Sequence, residues 1–370
     1  MRTVIVIFIC CFCFLQFLDA GLTIQDLTTS MNAEELAQSG LNKLTDHEKQ
    51  FLQLWLQYRC PNYYISVPRK KNAGDVKSYF KTEKSTQYPN TANHWKLALV
   101  AVFQDETPFL KEFIEFHQLM GVEHFFLYDN LSSEHFYDVL QKYIDSGIVE
   151  VIEWPVTNFV YGQNSCYTDA VNRCRGKADW LILADTDLFF FPLNHPNLVS
   201  FLSEYDHPLI GGVTANILNF GTSGLYDLPP GGLLTELFVM RAKEPDAHVR
   251  CIVRPERVQS VKNPHFASYI PPYFAVDENL TRNEGLTNDR KSINKIRINH
   301  YAFRTQKFLL TVYGLRHVRF QAEHRGEPLP IELSSDNTQA LLKMDADYCK
   351  VKDREIGKFL NLLKKLTEMK

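Results

Sequence analysis

Two carboxylates one residue apart, Asp185 and Asp187, stand in the run Asp179-Trp180-Leu181-Ile182-Leu183-Ala184-Asp185-Thr186-Asp187-Leu188-Phe189-Phe190-Phe191-Pro192. Carboxylates held this close repel one another unless something neutralises them. A divalent cation is the usual partner, and hard cations take oxygen ligands. The pattern therefore predicts a site for a metal ion and a nucleoside diphosphate. The plain alternative is a solvated Asp-Thr-Asp turn. Three chemistries use acids at a strand end. A P-loop nucleotidase needs a GxxxxGK[ST] loop, and the chain has none. A phosphatase-type aspartate nucleophile calls for Thr or Val where Phe189 stands, in a motif near the start of its domain. A sugar-nucleotide transferase uses a cation to offset the charge of the departing diphosphate. It best suits an acidic motif that follows three strand–helix units.

The elements around the motif must position it. Leu181 to Ala184 is an apolar run of strand length, as in a parallel sheet covered on both faces. Its carboxylates then lie at the C-terminal strand end, where open α/β sheets bind ligands. Leu97 to Phe103 is a similar run. Thr107-Pro108 starts a helix with Thr as N-cap and Pro in the first turn. Phe109, Phe113, Phe116 and Met120 form its apolar stripe, and Gly121 ends it. Phe125 to Tyr128 and Ile148 to Ile152 read as strands, Ser133 to Ile144 and Gln163 to Arg175 as helices. The alternation predicts a doubly wound, mostly parallel α/β sheet with flanking helices. Downstream, Leu209–Val213, Leu233–Met240, Cys251–Pro255 and Ile296–Tyr301 read as strands. The Gly/Pro-dense stretch from Phe220 to Gly232 reads as a long loop over a site. Lys350 to Lys370 reads as a basic helix with Ile356, Leu360 and Leu363 on one stripe, packed on its own domain.

The 370 residues are 45% hydrophobic and 13% aromatic, enough for a substantial core. A net charge of −3 gives no footprint for nucleic acid. Arg2, the short apolar run Val4–Leu18 and the small residues near Ala20 describe a secretory signal, cleaved after Ala20 or kept as a short signal anchor. Membrane association would run through this segment. Residues 22–58 read as a stem with a short helix, and 59–93 as irregular. Of eight cysteines, three lie in the signal; Cys60, Cys166, Cys174, Cys251 and Cys349 remain. A helix holding both Cys166 and Cys174 would keep them about 12 Å apart along its axis, too far for a disulfide. Asn130-Leu131-Ser132 and Asn279-Leu280-Thr281 are glycosylation sequons, meaningful in a eukaryotic secretory pathway.

Several blocks together resemble glycosyltransferase family 92, formerly a domain of unknown function. They are Leu99 to Glu106, Phe109 to His117, Gly121 to Asn130, Ser146 to Val149, Gln163, Asp185-Thr186-Asp187, Asn263 to Phe266 and Asn299-His300-Tyr301. The chain departs from the family pattern at Gln104 and at Leu188 to Phe190. The resemblance implies a GT-A fold and a metal-dependent, inverting transferase that moves a sugar, often galactose from UDP-galactose, onto a glycan acceptor. It implies a divalent cation, Mn2+ before Mg2+, held mainly by Asp187, with Asp185 reaching the ribose or the metal through water and His300 as the third metal ligand or a diphosphate contact. Asp105, Glu106, Asp129, Asn130, Gln163, Arg254 and His265 become donor contacts. Inversion needs a base for the acceptor hydroxyl; Glu236 is the first candidate and Asp227 the second. The expected layout is a signal or anchor over 1–20, a stem over 21–94, a GT-A domain over 95–345 and a C-terminal basic amphipathic helix over 346–370. Export would place the chain in the Golgi of a eukaryote, or in the envelope or medium of a bacterium. A glycan-binding relative without turnover is the alternative from another class; a phosphotransferase or phosphatase is the third.

Overall fold

A strand with no polar position suits a sheet covered on both faces, and Leu97 to Phe103 behaves so. The computed structural model describes residues 94–156, 159–327 and 330–368. The expected signal segment, nearly all of the expected stem, and Cys60 lie outside the described residues. Strand β1 (Trp95–Phe103) sends Leu97, Leu99, Ala101 and Phe103 into one apolar cluster. There they meet helices α1 (Thr107–Leu119) and α2 (Tyr137–Asp145). Ala98, Val100 and Val102 enter a second cluster with α3 (Phe159–Cys174). The stripe Phe109, Phe113, Phe116 and Met120 is buried as its spacing requires. Thr107 is not the cap of α1; it is the first helical residue, and Glu106 takes the N-cap position.

Strands β2 (His124–Asp129), β3 (Val149–Glu153) and β4 (Ala178–Asp185) complete a parallel half in the order β3-β2-β1-β4. After the motif, β5 (Leu188–Pro192), α4 (Leu198–Leu202) and β6 (Ile210–Asn219) follow. A loop and the short helix α5 (Leu234–Leu237) come next, then β7 (Met240–Arg241) and β8 (Val249–Val253). β8 lies antiparallel between β4 and β6. The sheet is mostly parallel, with this one strand reversed near its middle. β9 (Val258–Asn263) and β10 (Phe266–Tyr269) form a hairpin. The Tyr269 ring occupies the space that Gly211 and Gly212 leave open, since a Cβ on either would lie within 2.4 Å of it. β11 (Phe274–Asp277) joins β6 in parallel, and β12 (Arg282–Asn283) forms the edge. β13 (Ile296–His300) runs parallel to the end of β6 and antiparallel to β5.

The segment 233–240, expected as a strand, instead holds the helical turn α5. The cause is distant in sequence. Glu112, buried on α1, accepts hydrogen bonds from Leu234 N (2.7 Å), Thr235 N (2.9 Å) and Thr235 Oγ1 (2.7 Å). These are donors that a helix start leaves unpaired. The Gly/Pro loop is pinned at its other end by Asp345, which accepts from Thr222 N and Oγ1 at 2.6 and 2.7 Å. Helices α6 (Gln306–Phe308), α7 (Gly314–Arg325) and α8 (Ser335–Asp347), the last carrying Asp345, follow β13. The C-terminal stretch is not one helix from Lys350: β14 (Val351–Lys352) pairs with β7 before α9 (Leu360–Glu368) begins. Asp353 holds the connection by accepting from Arg241 and Arg297, both at 2.7 Å. Ile356 and Leu363 are buried in the cluster beneath α1. One compact unit spans Asn93–Lys370 and includes α9. Among the described residues no helix is long and apolar enough to cross a membrane. Cys166, Cys174, Cys251 and Cys349 are free thiols.

Candidate active site

Parallel strands deliver their C-terminal ends to one edge. The register Val102↔Tyr128 and Val102↔Asp185 aligns the ends of β2, β1 and β4 there. β6 and β13 end beside each other at Asn219↔His300. Because β8 is reversed, its first residues, not its last, reach this edge.

Asp185 closes β4 and is met by three side chains. Oδ1 accepts from Gln163 Nε2 and from Tyr167 Oη, the latter at 2.8 Å. Oδ2 accepts from Arg250 Nη2. Gln163 and Tyr167 are four apart on α3 and so share one face. Arg250 is buried and also donates to Pro264 O at 2.7 Å. The charge of Asp185 is thus offset by an arginine, and Asp185, Asp187 and His300 do not gather: among the described residues no three His, Cys, Asp or Glu side chains form a metal-binding group.

Asp187 differs. Its Oδ2 lies 3.6 Å from His300 Nε2, and its Oδ1 is buried with no hydrogen-bond partner. Burial opposes ionisation here, but His300, Arg304 and Arg250 outweigh it and hold the carboxyl well below the usual carboxylate range. His300 Nδ1 meets Asn219 Oδ1 at 2.8 Å. That contact makes Nδ1 a donor and turns Nε2 toward Asp187 Oδ2, where a cation would meet both. A carboxylate with one orphaned oxygen and the other beside an imidazole nitrogen fits a divalent cation. Asp187 and His300 therefore fit the expected group; Asp185 fits it less well, because both its oxygens are engaged.

Glu106 was expected to touch donor, but its carboxylate is shared among protein groups. It accepts from Thr186 Oγ1, from Arg304 Nη2 at 3.0 Å and from Arg316 Nη1 at 3.0 Å. It ties the end of β1 to the middle residue of the motif. Asp105 sits at φ +51, in the left-handed region. Its Oδ1 accepts from Ser133 N at 2.7 Å and Glu134 N at 3.3 Å, joining the loops after β1 and β2. Asp129 accepts from Ser132 N at 3.0 Å in a turn. Asn130 is buried, its Oδ1 accepting from Val156 N at 3.1 Å. All four lie at the expected edge, each with a structural bond.

Arg254 is a correction. In the pairing Leu181↔Val253 it sits beside the start of β4, over the Trp180 ring at 4.1 Å and bonded to Asp206 at 2.8 Å. That is the opposite end of the sheet from Asp185. His265 is at the correct end; burial, then the Arg250 charge, pushes its ring down to about 3. Neither expected base is free. Glu236 on α5 is bonded to Lys364 of α9, and exposed Asp227 to Lys307 at 2.7 Å. Neither has a bond to Asp185 or Asp187.

The sequence reading missed Arg250, Tyr167, Arg304 and Asn219. Tyr167 was visible in principle, four residues from Gln163. Arg250 required the direction of β8, which an apolar run does not encode.

The model of glycosyltransferase family 92 matches residues 101–325. A family 92 protein of Oryza sativa subsp. japonica is 24% identical over 247 residues, covering 65% of this chain and 39% of the relative. Family 92 proteins of Ricinus communis and Arabidopsis thaliana are each 27% identical, over 45% of this chain and 30% of their own length. The chain thus spans well under half of these relatives. Among solved structures, S. aureus TarS 1-349 in complex with UDP-GlcNAc aligns at 9% identity and TM-score 0.31, covering 68% of this chain and 80% of that one. M. tuberculosis glucosyl-3-phosphoglycerate synthase with Mn2+ and UDP aligns at 15% identity and TM-score 0.26, covering 44% and 57%.

Proposed function

We infer what this edge does from one premise: the chain belongs to glycosyltransferase family 92. The reading is a GT-A-type, metal-dependent inverting transferase that moves a hexose, galactose from UDP-galactose, onto a glycan hydroxyl. The observation that carries the site is Asp187, an ionised carboxylate in the turn that follows β4, with one buried oxygen unpartnered and the other 3.6 Å from His300. Asp187 and His300 would hold the cation, Mn2+ in the first instance. Such an ion offsets the charge that gathers on the departing diphosphate. The protein's own residues supply the rest. Arg250 and Gln163 fix Asp185 so that it borders the nucleotide rather than repelling Asp187. Glu106, Arg304 and Thr186 hold the motif turn rigid, which preorganises the site. The pinned loop from Thr222 to Leu233 supports an acceptor-side wall. The N-terminal segment supports a place on the exported side of a membrane.

The test is thermal unfolding of the chain from Gly21 onward with UDP, GDP or CMP, each with and without Mn2+. Ligand at 100 times its dissociation constant adds about 2.7 kcal/mol. We expect a rise only with UDP and Mn2+ together, and none in folded Asp187→Ala. Metal-dependent UDP affinity that survives in that variant would overturn the assignment. A rise with oligosaccharide alone favours a binding module.

A further inference from the structure

A polar chain leads away from Asp187 to a pair the donor side does not use. His300 meets Asn219, and Asn219 Nδ2 donates to Asp246 Oδ2 at 3.1 Å. Asp246 Oδ1 accepts from His248 N and meets His248 Nδ1, each at 2.9 Å. The His248 ring lies 4.8 Å from that of His265, which neighbours Arg250. Since Arg250 grips Asp185, these residues run as a series of neighbours from one motif carboxylate to the other. Its members are buried or half-buried, and the His248 side chain is 46% exposed.

We propose that His248 is the acceptor-side base of the transfer and Asp246 its positioning residue. The inference rests on the transferase reading above. Asp246 can only accept from Nδ1, so it fixes that nitrogen as the protonated one. Nε2, which makes no hydrogen bond among the described residues, is left as the proton acceptor of a side chain that is 46% exposed. An anionic partner on Nδ1 also stabilises the imidazolium that forms. In the step, the acceptor hydroxyl gives its proton to Nε2 while its oxygen bonds to the anomeric carbon. The bond from that carbon to the phosphate oxygen breaks, and its electron pair leaves with UDP. Glu236 and Asp227 are each held by a lysine instead.

The experiment uses the full chain, a panel of UDP-hexoses with Mn2+, and oligosaccharides ending in β-galactose or β-N-acetylglucosamine. UDP release and product are measured for the wild type, His248→Gln and Asp246→Asn. His248→Gln should lose about 10²–10⁴-fold in kcat and keep the wild-type thermal shift with UDP and Mn2+. Asp246→Asn should lower kcat with the acceptor KM unchanged. A His248→Gln enzyme within threefold of wild type overturns the proposal. So does loss of the UDP shift along with activity, which marks a structural role. A wild type that neither binds nor turns over any UDP-hexose sinks the transferase reading, and this inference with it.

Discussion

Replacing Arg250 with Met removes the charge beside Asp185 and keeps most of the apolar bulk. The Arg250 side chain is 7% exposed and that of Asp185 20%, so water compensates little. Removing one partner of a buried pair costs about 3–5 kcal/mol, and the lost bond to Pro264 adds about 1 kcal/mol. Asp185 retains Gln163 and Tyr167, which places the pair's share near its lower end, about 3 kcal/mol, and the whole loss at about 4 kcal/mol. Urea unfolding should show a lowered midpoint with unchanged slope. The double variant Arg250→Met with Asp185→Asn closes a thermodynamic cycle. Its cost should fall short of the sum of the singles by about 1–3 kcal/mol, because neither charge is then stranded. A single-variant cost below about 1 kcal/mol, or strict additivity, refutes the claim that this arginine offsets the motif's first carboxylate.

Other outcomes follow from buried groups. His117 donates from Nδ1 to Phe113 O at 2.8 Å and accepts at Nε2 from Phe190 N at 3.3 Å, and burial pushes it down to about 3. An unfolded histidine titrates near 6.5, so this contribution is full above that pH and is lost as pH falls toward 3. The loss is about 2 kcal/mol between pH 6.5 and 5, and His117→Phe should flatten the measured slope; an unchanged slope contradicts the assignment. Leu363→Ala, which opens a cavity where α9 meets the core, should cost about 2–5 kcal/mol in denaturant unfolding. Expressed through a eukaryotic secretory pathway, the chain should carry glycan at exposed Asn279, on the turn closed by Leu280 N to Asp277 O at 3.0 Å. Buried Asn130, bonded to Val156, should carry none. Endoglycosidase treatment of Asn279→Gln and Asn130→Gln reads both.

The parallel half was legible because Leu97–Phe103 and Leu181–Ala184 are continuous apolar runs, and the first helix announces itself by its stripe and by Pro108 in its first turn. The placement of Asp185 and Asp187 at a strand end followed directly. What failed had a common cause: information held by the partner. Leu233–Met240 is apolar and short, and only Glu112 on another helix makes its start a helical turn. Arg250 and Arg254 are indistinguishable in sequence until the direction of β8 is known. Asp246 and His248 lie in a polar stretch without periodicity, and their relation to His300 exists only through Asn219. Gln163 was found and Tyr167 overlooked, although one helical turn joins them.

The reversed strand has a consequence for how the molecule comes to be. A nascent chain can complete the β3-β2-β1-β4 half early, since its units are local. Until Val249–Val253 has been made, however, β4 and β6 are open edges with unpaired backbone groups. Such non-local closure is slow and exposes apolar strands to one another between molecules. No product terminated before Val253 can seal its sheet. The same insertion brings Arg250 to Asp185, so the charge balance of the site and the closure of the sheet are one event. Polypeptides that stall short of it carry both an unshielded acid and two adhesive edges, the marks by which a cell's quality control would sort them from the finished protein.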